Sequence, residues 1–183
     1  IDVKFDEKMN DPKVYKLWQN GESVGIFQFE SQGMTNFMKE LKPDCLEDII
    51  AGVSLYRPGP MDQIPRYIAN KKDPEHAVYT HPALKPILEV TYGCMVYQEQ
   101  VMQIVRDLAG YSLGRADLVR RAMGKKKLDV MAKEREIFIH GQIDENGNIV
   151  VPGCIRNGID EQSANKIFDE MAEFAKYAFN KSH

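Results

Sequence analysis

The segment QEQVMQIVRDLAG, residues 98–110, reads as an α-helix and as little else. Val101, Ile104, Val105 and Leu108 recur at i, i+3, i+4 and i+7, which is one face of a helix. Gly110 stands where a left-handed C-cap is wanted. The same rhythm runs through most of the chain, and prolines and glycines punctuate it. DPKVYKLWQNG opens on Asp11 as N-cap with Pro12 at the first helical position, and Gly21 stops it. ESQGMTNFMKELKP spaces Met34, Phe37, Met38 and Leu41 helically before Pro43. CLEDIIAGVSLY places Leu46, Ile49, Ile50 and Val53 on one expected face. RPGP then breaks the chain. DQIPRYIANKK, ALKPILEVT, SLGRADLVRRAMG, KLDVMAKEREIFIHG and DEQSANKIFDEMAEFAKYAF read as further helices, the last capped by Asp160, or by Ser163 if its start slips. In the seventh helical segment, Leu118, Val119 and Ala122 are the expected apolar set. SVGIFQF fits either a strand or a buried turn. Asn146-Gly147 between Ile143 and Ile149 signals a hairpin near residues 142–152. The expected fold is mainly α and irregularly connected, with that one small β-hairpin.

A chain of 183 residues, 43% hydrophobic and 28% charged, can bury one sizeable core and a small subdomain. No apolar run approaches a membrane span, and the start is no signal peptide. The first residue is not Met and the last stretch, FAKYAFNKSH, has no terminating tail, so an excised piece of a larger protein is expected. Cys45, Cys94 and Cys154 are odd in number and far apart. They read as reduced thiols of a cytoplasmic protein, and neither they nor the four histidines show zinc spacing.

The charge is uneven. From Arg115 to Arg135 eight basic residues meet three acidic ones, so the remainder carries −8 (−3 less +5). Such local asymmetry points to an anionic partner near the basic segment, or to a solvated helix face. Within LVRRAMGKKK, Arg120 and Arg121 project about 100° apart on a helix. Arg120 is expected to face away from the apolar pair Leu118 and Val119. Two guanidinium groups there suit the oxygens of a polyphosphate, with Lys125, Lys126 and Lys127 extending the positive surface. Arg57 precedes the rigid Pro-Gly-Pro corner, where local sequence favours a packing role over phosphate or template contact. In YGCMVYQEQ, Glu99 reads as a helix-start carboxylate, and Gln98 and Gln100 as hydrogen-bonding side chains. Tyr177 and Phe179, followed by Asn180, Lys181, Ser182 and His183, suit stacking on a base and gripping its phosphate; otherwise Phe179 is core and the tail frays. There is no Walker A loop, GxGxxG, HExxH or GxSxG, and no Asp-x-Asp pair for two metal ions.

GIFQFESQGM, EDIIAGVSLYRPGPM, TYGCMVYQEQVMQIVRDLAGYSLGRADLVRRAMGKKK and FAKYAFNKSH together resemble the bacterial C-family replicative DNA polymerases, the alpha subunits of DNA polymerase III. The likeness covers nearly the whole chain, in the family's order. It implies a fingers domain over 1–183, with the palm upstream and the rest of the subunit downstream. It implies template-directed nucleotidyl transfer by a DNA-directed DNA polymerase, with Mg2+ held by palm aspartates outside this chain and no catalytic residue or metal ligand within it. Arg120, Arg121, Lys125, Tyr177, Asn180, Lys181, Ser182 and His183 match the family's nucleotide-binding positions. Arg57, Lys126 and Lys127 match its DNA-contacting ones, which favours contact over packing at Arg57. The implied partners are primer–template DNA, deoxynucleoside triphosphates and, through the full subunit, the sliding clamp and other replisome subunits, with no membrane. The sequence departs from the pattern at Ala178, where the family commonly has Gly, and helix is expected there. It departs again in residues 142–158, which read as a surface insertion. A non-catalytic helical module that binds nucleic acid or polyphosphate, and a protein-interaction module, are the readings that remain beside it.

Overall fold

The computed structural model describes residues 9–124, 128–177 and 181. They fall into two compact units divided between Lys72 and Asp73. Among the described residues the fold is mainly α, with one two-stranded antiparallel sheet.

The first unit holds α1 (Pro12–Asn20), α2 (Gln32–Leu41), α3 (Leu46–Leu55) and α4 (Ile64–Lys72). Asp11 caps α1 by accepting from Lys13 N, and Gly21 ends it at φ 76°. Ser31 caps α2 through Met34 N at 3.2 Å. Met34, Phe37, Met38 and Leu41 are all buried, as the spacing predicts. SVGIFQF forms turns and no strand. Its ends, Ser23 and Phe29, are buried, and Ser23 Oγ donates to Phe29 O at 2.7 Å. Val24 and Phe27 stand 91% and 81% exposed, so the turn is anchored at its ends only.

In α3 the expected face is wrong. The buried residues are Asp48, Ala51, Gly52, Ser54 and Leu55, while Leu46 is exposed and Ile49, Ile50 and Val53 are half-buried. Two contacts turn the helix. A Cβ on Gly52 would lie 2.6 Å from Met38 Cε, so the absent side chain lets α2 approach. Asp48, with its side chain 1% exposed, is drawn inward by Lys71 of α4, whose Nζ lies 2.9 Å from Asp48 Oδ2 and 3.3 Å from Asp44 Oδ2. A buried ion pair outranks apolar periodicity because an unpaired buried charge is so costly. Asp44, Cys45 and Asp48 bring ligand-type atoms within 4.8 Å of one another, and the cation that both carboxylates meet is the Lys71 ammonium. After α3, Gly59 at φ 100° turns the RPGP corner into a short 3-10 turn, Pro60–Gln63, that leads into α4.

The second unit holds α5 (Lys85–Leu88), α6 (Gln98–Ala109), α7 (Leu113–Gly124), α8 (Leu128–His140), β1 (Gln142–Ile143), β2 (Ile149–Val151) and α9 (Glu161–Ala175). Val101, Ile104, Val105 and Leu108 of α6 meet Ile167, Phe168 and Met171 of α9 in one core with Val119, Met123 and Phe138. The Phe138 and Phe168 rings lie 5.7 Å apart. Asp160 caps α9 by accepting from Ser163 N at 2.8 Å. The three cysteines are free thiols, and burial pushes Cys154 up to about 12.

The hairpin pairs Gln142 with Val151 and Ile143 with Ile149. Asp144 Oδ1 accepts from Asn146 N at 2.9 Å and Asn148 N at 2.8 Å, which closes the turn around Gly147. Ile143, Ile149 and Val150 are more than half exposed. The return limb, however, is not a surface insertion. Val151, Cys154 and Ile159 are buried, and Gly153, Cys154 and Ile155 donate their N–H groups to Ala109, Phe138 and Ile139 carbonyls. Residues 143–150 and 155–158 lie on the surface. Gly141 makes this entry possible. At φ +85° it ends α8, and a Cβ there would sit 2.4 Å from the carbonyl oxygens of both Val151 and Pro152. Backbone atoms stitched into the core cannot yield, so Gly141→Ala is expected to destabilise the chain by about 2–3 kcal/mol in urea denaturation.

Candidate functional site

Ser112 precedes α7, and its Oγ accepts from Arg115 N at 3.3 Å. It buries Ala116, Val119 and Met123. The expected set was Leu118, Val119 and Ala122; Val119 is indeed buried, but Leu118 is 67% exposed and Ala122 only half-buried. The helix is thus rotated from the expected setting. Arg120 is drawn inward, with its side chain 22% exposed, and Arg121 stays out at 64%. The two guanidinium groups do not fan apart. Both return to Asp117, which lies three and four residues earlier on the same helix. Arg120 donates to Asp117 Oδ1 from Nη2 at 2.7 Å and from Nε at 3.2 Å. Arg121 Nε meets Asp117 Oδ2 at 2.8 Å. The hydrogen bond from Arg120, followed by the charges of both arginines, holds the Asp117 carboxyl below the usual carboxylate range.

The start of α6 supplies the other side. Gln100 Oε1 accepts from Val96 N at 2.8 Å and Tyr97 N at 2.9 Å, and its amide donates to Thr91 Oγ1 at 2.7 Å. The first turn of α6 is therefore rigidly set. Gln98 Oε1 accepts from Arg120 Nη1 at 2.9 Å. Glu99, in that first turn as expected, accepts from Lys181 N at 3.3 Å, and the Lys181 ammonium lies 5.2 Å from the Tyr97 ring centre. The fold thus brings Arg120 and Lys181, 61 positions apart in sequence, to the start of α6. That end meets one guanidinium group, on Gln98, and one ammonium group, over the Tyr97 ring, a donor set that suits a charged oxyanion beside a planar ring.

Other expected site residues stand elsewhere. Tyr177 follows α9, 43% exposed, with its N–H given to Phe174 O. Lys125, Lys126, Lys127, Ala178, Asn180, Ser182 and His183 lie outside the described residues. Arg57 belongs to the first unit, where it is half-buried and Nε donates to Ser54 O at 3.0 Å. Burial lowers its pKa from the ordinary arginine value. Two more arginines of the basic stretch are structural. Arg115 pairs with Glu134 at 3.2 Å beside Tyr111, and Arg135 pairs with Asp169 while lying over the Phe168 ring. Sequence reasoning gave Asp117 no role, although its spacing to both arginines was in view; the Gln98–Arg120 contact needed the fold.

Residues 3–146 match the family model described as bacterial DNA polymerase III alpha subunit finger domain. The whole chain aligns at 48% identity with the DNA polymerase III subunit alpha of Thermus aquaticus, of which it covers 14%. Over 96% of its length it is 51% identical to the DNA polymerase III subunit alpha of Chlamydia muridarum, covering 13% of that protein. With the DNA polymerase III subunit alpha of Pasteurella multocida it shares 49% identity over 96% of its length, and covers 15% of the relative. The chain therefore spans about a seventh of the length of the curated relatives it matches.

Proposed function

The chain belongs to the finger-domain family of bacterial DNA polymerase III alpha subunits, and from that premise we propose that it serves as the fingers of a template-directed DNA polymerase. In this reading Arg120, Arg121 and Lys125 take the triphosphate of the incoming deoxynucleotide. Tyr177, Asn180, Lys181, Ser182 and His183 lie against the nascent base pair. Arg57, Lys126 and Lys127 grip primer–template DNA. The observation that carries it is the pair of guanidinium groups held on Asp117, of which Arg120 also reaches Gln98 in the first turn of α6, the turn whose Glu99 meets Lys181. Charge that develops on the leaving pyrophosphate is stabilised best by donors fixed before the reaction, because they need no reorganisation at that moment.

Of the acidic groups near the arginines, Asp117 is already held by both of them, and among the described residues neither it nor Glu99 belongs to a cluster of ligand-type groups. They do not fit a magnesium pair, which is assigned to the palm of the full subunit. When bound there, the ions activate the primer end and neutralise the triphosphate. The chain alone is accordingly inactive; magnesium-dependent primer extension by the pure 183-residue chain would overturn this. The full subunit acts in the cytoplasm with the sliding clamp and other replisome subunits. Among the described residues no helix is long and apolar enough to cross a membrane.

Salt dependence tests the assignment to DNA. Each phosphate contact releases counterions and adds about 0.9 to the slope of log affinity against log salt. In the full subunit, Lys126→Ala and Lys127→Ala are each expected to reduce that slope by about this amount on primer–template DNA. Unchanged slopes in both would remove these lysines from the DNA.

A further inference from the structure

Asp117 carries a negative charge in the middle of the group that is read as a triphosphate site. On charge alone it should weaken that site. Its geometry says otherwise. Each carboxylate oxygen takes one arginine: Oδ1 holds Arg120 through Nε and Nη2, and Oδ2 meets Arg121 at Nε, 2.8 Å away, with no hydrogen bond from its Nη groups among the described residues. Both Nη groups of Arg121 are therefore unspent among the described residues, and its side chain is the exposed member of the pair. Arg120 is held a second time, by Gln98 at 2.9 Å. The carboxylate occupies the inner edges of the guanidinium groups and leaves the outer edge of Arg121 to a ligand. Carboxylate and phosphate do not compete for the same N–H groups.

We propose that Asp117 is a positioning residue: resting on the nucleotide-binding reading above, it orders the Arg121 guanidinium before the triphosphate arrives and aims its Nη edge outward. An arginine side chain otherwise samples many rotamers, and ordering it on binding subtracts from the interaction. The i, i+3 and i, i+4 spacing lets one carboxylate fix both arginines on a single helix face. The cost is local charge, since two arginines and one aspartate sum to +1. The gain is geometry, which matters most in the transition state.

Single-turnover nucleotide addition by the full-length subunit separates the possibilities, using Asp117→Asn, Arg121→Ala and the double variant. Asn keeps the size but offers one acceptor oxygen where two are needed. We expect Asp117→Asn to slow addition at saturating nucleotide by about 10- to 30-fold with primer–template affinity unchanged, and Asp117→Glu to recover part of the loss. In the Arg121→Ala background the same substitution should cost under 3-fold, because its effect runs through that arginine. A fully additive double variant would overturn the proposal, as would an Asp117→Asn enzyme that adds nucleotide at the normal rate. Tighter binding of nucleotide and pyrophosphate with undiminished rate would also overturn it, by making Asp117 a competitor. If Arg121→Ala is impaired and Asp117→Asn is not, only the positioning role fails. If Arg121→Ala is itself normal, the nucleotide-binding reading fails and takes the positioning role with it.

Discussion

In the full-length subunit, Arg121→Ala is expected to lower kcat/KM for nucleotide addition by 100- to 1,000-fold, which is roughly 2.7–4 kcal/mol of barrier. Folding should be untouched. Arg121 is 64% exposed and gives up only a surface ion pair, a kind of contact that adds little to stability. Arg120→Ala should also slow the reaction, but its side chain is 22% exposed and holds both Asp117 and Gln98. Its loss therefore slackens the packing of α7 on the start of α6 as well as the site. Single-turnover extension with a saturating primer–template distinguishes the two: the Arg121 variant loses rate at normal DNA affinity, and the Arg120 variant also melts earlier. Unchanged addition in both variants would sink the triphosphate role.

The second large effect is structural and lies in the first unit. Lys71→Met should cost about 3 kcal/mol in denaturant unfolding, the low end of the range for breaking a buried pair. Asp48 has a side chain 1% exposed and would be left without its cation. The cost stays at the low end because Asp44 N and Tyr67 Oη still donate to the Asp48 carboxylate, at 3.1 and 3.5 Å. Adding Asp48→Asn to Lys71→Met should restore much of the loss, since it removes the stranded charge. The pair also has a pH signature. Burial pulls the Lys71 pKa down, but the hydrogen bond and charge of Asp48, with Asp44, more than offset it, so the net shift is upward from 10.5. A raised pKa means the folded state holds the proton more tightly. The stabilisation is complete below 10.5 and is lost as pH climbs through the higher folded value. The wild type should show this alkaline loss and Lys71→Met should not.

These two sites mark where the sequence was legible and where it was not. The faces of α2 and α6 follow from apolar spacing because nothing polar competes with them. The caps at Asp11, Gly110 and Asp160 and the turn at Asn146-Gly147 are local chemistry, and local chemistry is written in consecutive residues. The face of α3 could not be read this way. Its buried side includes Asp48, whose partner is 23 residues further along the chain, and a glycine that matters for what it lacks. α7 misled for a related reason: Leu118 looks like core and is 67% exposed, while Arg120 looks like surface and is half-buried. Of the site, the basic residues were visible and their restraints were not. Asp117 could have been found from spacing alone; the contacts of Gln98 with Arg120 and of Glu99 with Lys181 required the fold.

The short ribbon after Gly141 carries a lesson about chain association. Among the described residues no third strand joins this two-stranded sheet, and Ile143, Ile149 and Val150 add exposed apolar surface to it. Sheet edges recruit strands from other molecules when they are long and uncharged. This one is two and three residues long, and Asp144 and Glu145 sit at its tip. Brevity and acid act as gatekeepers against edge-to-edge pairing. Extending either strand, or neutralising the tip, would turn a closed turn into a seed for aggregation, in a segment whose other limb is built into the core and cannot be trimmed away.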